Sequence, residues 1–88
     1  MFTIHWEPEA YERIRTLIQN NPVLKPGLKY SLETLAIELS DRADAWGESR
    51  TAGLRLGSAG ILSVLVRVDT DARTVRVVDV ALERRTRR

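Results

Sequence analysis

The chain has 88 residues, 43% of them hydrophobic and 30% charged, with a net charge of +2 and no cysteine. That balance belongs to one ordinary globular domain and excludes a disordered chain, a disulfide scaffold and a thiolate metal site. No apolar run approaches the roughly 18 residues of a membrane span, and the N-terminus lacks the basic and apolar stretches of a secretion signal. A cytoplasmic protein with no membrane association is therefore expected.

Phe2 to Trp6 alternates and is rich in aromatic and β-branched side chains, which predicts a first strand. Pro8 ends it and suits the first turn of a helix, where its missing N–H is no loss. Ala10, Tyr11, Ile14, Leu17 and Ile18 then fall at helical spacing until Asn20, Asn21 and Pro22 stop the helix. Residues 22–30 are expected to be a connection. Ser31 is the expected N-cap of a second helix with Glu33 in its first turn. Leu32, Leu35, Ala36, Leu39, Ala43 and Trp46 carry that helix to Gly47. Trp6, Tyr11 and Trp46 are read as core residues rather than as platforms for stacked bases.

Thr51 to Leu56 predicts the next strand, and Gly57 to Gly60 a glycine-bracketed turn. In the strongest strand, Ile61 to Val68, the residues Leu62, Val64, Val66 and Val68 line one face. Ile61, Ser63, Leu65 and Arg67 line the other. Asp69 to Arg73 is a turn whose aspartates cap its own amides. The last strand, Thr74 to Leu82, has Val75 and Val77 on one parity but Val78, Val80 and Leu82 on the other, which predicts a bulge or a strand covered on both faces. The order strand, helix, helix, strand, strand, strand implies an α+β domain over residues 1–88, a helical hairpin packed on a mainly antiparallel twisted sheet. Residues 83–88 read as a flexible basic tail.

Charge is divided unevenly: residues 1–49 hold five Lys or Arg against eight acids, and residues 50–88 hold nine Arg against four acids. Clustered arginine suits a polyanion, because each neutralised phosphate releases counterions and a guanidinium grips phosphate with two hydrogen bonds. Arg67 and Arg76 are expected opposite each other across the final hairpin, a like-charge pair that calls for an anion between them. A phosphate, Asp79 or an acidic partner segment would serve. His5, the single histidine, has no second imidazole or thiol for a metal site and reads as a structural or exposed imidazole. No cofactor is expected.

The WEPEA of Trp6 to Ala10, the two helices after it and the VRVDTDARTVRVV of Val66 to Val78 resemble the RelE/ParE toxin superfamily over most of the chain. Arg84 and Arg85 fall where many members carry a basic group after the last strand. The resemblance implies the toxin component of a type II toxin–antitoxin system, an antitoxin protein as partner, and either ribosome-held mRNA or DNA gyrase as target. In RelE-like members, sheet lysines and arginines bind the mRNA. A central-strand arginine and a C-terminal tyrosine or histidine then assist attack by the RNA's own 2′-hydroxyl. Here that arginine's place falls on Ser63, and no tyrosine or histidine follows Tyr30. What remains is Arg50, Arg55, Arg67, Arg76, Arg84 and Arg85, candidates for binding nucleic acid or partner but poor at moving protons near neutral pH. Catalytic residues are not assigned. The alternative is a non-enzymatic module that keeps the fold and binds nucleic acid or protein through the basic sheet face and tail. A homodimer burying Ile61 and Leu65 is compatible with either.

Overall fold

In the computed structural model, which describes residues 1–83, a strand and two helices, β1 (Thr3–Trp6), α1 (Pro8–Asn20) and α2 (Lys25–Arg42), precede four further strands. These are β2 (Glu48–Ser49), β3 (Leu54–Ala59), β4 (Leu62–Asp69) and β5 (Thr74–Leu82). One sheet forms in the order β1-β5-β4-β3-β2, parallel between β1 and β5 and antiparallel elsewhere. A parallel pair needs a long crossover, and both helices and three strands lie within it. The expected α+β architecture of two helices on a mainly antiparallel sheet is present. Among the described residues, no helix is long and apolar enough to cross a membrane.

Alternation in β4 buries Leu62, Val64 and Val66 completely against the helices. Across from them, Leu65 pairs with Asp79 but Val66 with Val77, so Val78 is an extra residue in β5. This bulge moves the core face from Val75 and Val77 to Val80, and it accounts for the parity change visible in the sequence. Leu28, Leu35 and Leu39 of α2 and Ala10 and Ile14 of α1 complete the core.

Several local expectations are corrected. The segment 22–30 is not a connection, because a 3-10 turn at Pro22–Leu24 runs directly into α2 with Pro26 in the helix's opening turn. Proline is compatible with that turn, and burial of Leu28 draws it onto the sheet. Ser31 is accordingly not an N-cap. It lies mid-helix and wholly buried, its Oγ donating to the Gly27 carbonyl oxygen at 2.7 Å and accepting from the Ile61 N–H at 2.9 Å.

The helix also ends earlier than Gly47, at Arg42, and a 3-10 turn over Ala43–Ala45 leads to an extended Trp46. Trp46 is buried, with its indole Nε1 donating to Glu38 Oε1 at 2.9 Å. Its ring covers Gly57, where a Cβ would stand 2.8 Å from the indole. Gly57 therefore belongs to β3, and the turn before β4 shrinks to Gly60 and Ile61. Gly60 takes φ +58°, and a Cβ there would collide with Ser31 Oγ, so glycine is required twice over. The strand expected at Thr51–Leu56 moves to Leu54–Ala59, since Ala52 and Gly53 adopt positive φ in the β2–β3 turn. Tyr11, expected in the core, is 57% exposed at the side of α1, and Trp6 is half-buried.

Candidate functional site

The helices cover one sheet face and leave the other open. Residues paired in register point to the same face, so His5 of β1, Arg76 of β5, Arg67 of β4 and Leu54 of β3 form one row across four strands on the open side. Leu65 and Leu56 pair in the adjoining part of that face, and Ser63 lies farther on between Ser58 and Ala81. Arg67 and Arg76 are opposite each other, as the spacing predicted.

Neither guanidinium leans on Asp79. Arg67 Nη1 donates to the Ala52 carbonyl oxygen at 3.1 Å, and Arg76 Nε lies 3.3 Å from Glu7 Oε2. Asp79 instead meets Arg13 of α1 at 3.6 Å. Separate partners and open solvent make the like-charge pair tolerable while leaving both cations at the surface.

The other arginines singled out from the sequence do not join this row. Arg55 pairs with Val66 on the helix-covered face, and its Nε donates to the Trp46 carbonyl oxygen, holding the chain that leads into β2. Arg50 lies in the turn after β2, 3.6 Å from Glu48. Arg84 and Arg85 lie outside the described residues. Two further residues stand in the row: His5, read from the sequence as a structural or exposed imidazole and exposed here beside Arg76, and Glu7, which follows His5 on the same strand parity and pairs with Arg76. Only the parallel β1–β5 pairing brings them there, and no local sequence signal announces a contact between chain segments so far apart.

A second feature lies on the helical side. α1 and α2 part over β1 and leave an apolar hollow of about 550 Å³ lined by Ile4, Trp6, Ile14, Leu32, Leu35 and Leu39, with Tyr11 also in its wall. A neighbouring hollow of about 390 Å³ extends it along α2 through Ile18, Leu28 and Ala36. On the solvent side of α2, Tyr30 and Ile37 are 63% and 70% exposed. A helix with apolar residues on so many sides is typical of one covered on more than one face. Ile61 does not contribute to an open apolar face, because it packs against the core beside Gly27.

No family model matches the sequence, and no curated protein matches it in sequence. A solved structure matches in three dimensions: a chain of the toxin–antitoxin complex RelBE2 from Mycobacterium tuberculosis aligns with 93% of this chain and 98% of its own length, at a TM-score of 0.71 and 21% identity. The chain thus shares its fold with a chain of that complex, the RelE-like architecture of two helices on a mainly antiparallel sheet.

Proposed function

We propose that the protein is the toxin component of a toxin–antitoxin pair, held by a protein antitoxin at the helical side and meeting RNA through the open sheet face. The observation that carries this reading is the apolar hollow between α1 and α2 in a fold shared with a chain of a toxin–antitoxin complex. Apolar recesses of this size on a small monomer are unfavourable in water and are characteristic of protein interfaces. An amphipathic helix or strand of an antitoxin would bury Ile4, Trp6 and Leu32 there. The opposite face offers the arginines, and guanidinium groups suit phosphate.

Controlled induction in a bacterial host tests the reading. Growth arrest is expected, relieved by the Arg67→Ala, Arg76→Ala double substitution. Mapping of cellular RNA against gyrase assays then separates the two possible targets. Normal growth with folded, soluble protein would refute the toxin and favour a binding module. Two features support that second reading: the sequence resemblance puts Ser63 at the place where RelE-like members carry an arginine, and Arg55 is committed to the Trp46 backbone.

A further inference from the structure

The outer face of α2 is apolar where a helix in water would be polar. Five large apolar side chains are exposed among the described residues, and three of them, Val23, Tyr30 and Ile37, at 85%, 63% and 70%, stand seven residues apart. We propose that this stripe is a homodimer interface, in which α2 packs antiparallel on the α2 of a second copy with Tyr30 on the two-fold axis. Such a dimer goes beyond the toxin reading and does not depend on it.

Seven residues are almost two helical turns, so the three side chains lie within about 40° of one another around the helix and about 10 Å apart along it. The 3-10 turn at Pro22–Leu24 runs directly into α2 and carries the stripe back to Val23. Leu28, Leu35 and Leu39 are buried on the opposite side of the helix, so the stripe has no partner within the chain. A seven-residue spacing is the one at which two helices cross at about 20° and keep their apolar stripes in contact. Ile61 cannot serve in its place, because it packs beside Gly27 against the core.

Symmetry and charge select a second copy as the occupant. Val23 and Ile37 are equidistant from Tyr30, so an antiparallel copy sets Tyr30 on Tyr30 and each Val23 on the Ile37 of the other copy. That self-complementarity is what a two-fold interface requires. Lys25 and Lys29 occupy the first two turns of α2 without an acid, and Glu33, Glu38 and Asp41 follow ahead of Arg42. This distribution opposes the helix's own dipole, whose positive end is N-terminal. Antiparallel pairing reverses the penalty, because each end then meets the opposite charge and the opposite dipole end. Lys29 and Glu33 line the same hollow and so stand on one flank of the stripe. The two-fold through Tyr30 brings Lys29 of each copy within a helical turn of Glu33 of the other. Neither residue forms an ion pair among the described residues. A single helix pair buries less than the roughly 1,200 Å² of a tight interface, so the dimer forms in the micromolar range or above.

Sedimentation equilibrium of the full chain from about 1 µM to about 1 mM tests this directly. The mass should rise from the 10.0 kDa of one chain towards twice that value. Ile37→Glu should abolish the rise and, at an exposed position, leave the circular dichroism spectrum unchanged. Lys29→Glu and Glu33→Lys should each raise the dissociation constant about 3- to 30-fold, and the two together should restore it. Because the chain has no cysteine, single replacements report the register. Tyr30→Cys should oxidise in air to a covalent dimer. Ile37→Cys should not, since its two copies lie about 20 Å apart along the helices, but a mixture of Val23→Cys and Ile37→Cys should cross-link. A single-chain mass at every concentration, a dimer that survives Ile37→Glu, or cross-linking of Ile37→Cys but not of Tyr30→Cys overturns the proposal. So does a monomeric wild type whose antitoxin binding is lost in Ile37→Glu, which gives the stripe to that partner. None of these measurements involves growth arrest, so failure of the dimer and failure of the toxin reading are distinguishable.

Discussion

Replacing Ser31 with alanine interrogates the contact that docks α2 on the sheet. The Ser31 hydroxyl is buried, donates to the Gly27 carbonyl oxygen and is the acceptor for the Ile61 N–H at 2.9 Å. Gly27 lies inside the helix and keeps that ladder when the hydroxyl is lost. The Ile61 N–H has no such reserve, and an unsatisfied buried donor costs about 1–3 kcal/mol. For a domain of this size each kcal/mol moves Tm by about 4–8 °C, so Ser31→Ala should melt about 5–20 °C below wild type. Thermal and urea unfolding followed by circular dichroism provide the measurement. Ser58→Ala is the control, since among the described residues its hydroxyl bonds to exposed Glu83 at 3.0 Å and to nothing buried, and its stability should stay within about 0.5 kcal/mol of wild type. If the two variants unfold together, Ser31 does not join the helix to the β3–β4 turn and the reasoning fails.

The remaining predictions concern β3 and the two proposed surfaces. Gly57→Ala places a Cβ 2.8 Å from the Trp46 ring and should destabilise by about 1–3 kcal/mol while changing tryptophan fluorescence; an unchanged emission spectrum and Tm would contradict the packing. Ala36→Glu puts a charge at the junction of the two hollows on an exposed position, and should abolish co-purification with the antitoxin without moving Tm by more than about 2 °C. Retention of the antitoxin would place its contact elsewhere. Arg67→Ala or Arg76→Ala should each reduce the salt dependence of RNA binding by about one counterion, whereas Arg55→Ala, on the covered face, should lower stability and leave the slope unchanged.

Local pattern made much of this fold legible. The alternation of Leu62 to Val68 marks β4, Pro8 with Ile14 marks α1, and the Thr74 to Leu82 parity change leaves a bulge or a doubly covered strand, between which the β4–β5 register decides for the bulge. The start of α2 is not legible locally because proline and glycine punctuate loops in isolation but are also tolerated in a first helical turn. Burial of Leu28 and Ser31 decided between those outcomes, and burial is a property of the folded chain. Gly57 reads as a turn residue for the same reason: its need for a bare Cα comes from Trp46, which approaches only in three dimensions.

The site divides along the same line. Arg67 and Arg76 were readable as a facing pair because an antiparallel hairpin with a short turn places its register within reach of local sequence. Arg55 looks equivalent to them in sequence, and only its pairing with Val66 puts it on the helix-covered face. The placement of His5 and Glu7 beside Arg76 carries no local signal, since β1 meets β5 across nearly the whole chain and in parallel, where no turn sets the register. Sequence by itself determined the α+β class, the cationic hairpin and the parity change in the last strand, all consequences of side-chain period and short-range spacing. Tertiary structure alone decided which arginines share a face, which hydroxyl is buried, and that an N-terminal histidine and glutamate stand beside Arg76, because each depends on contacts between segments that local periodicity does not connect.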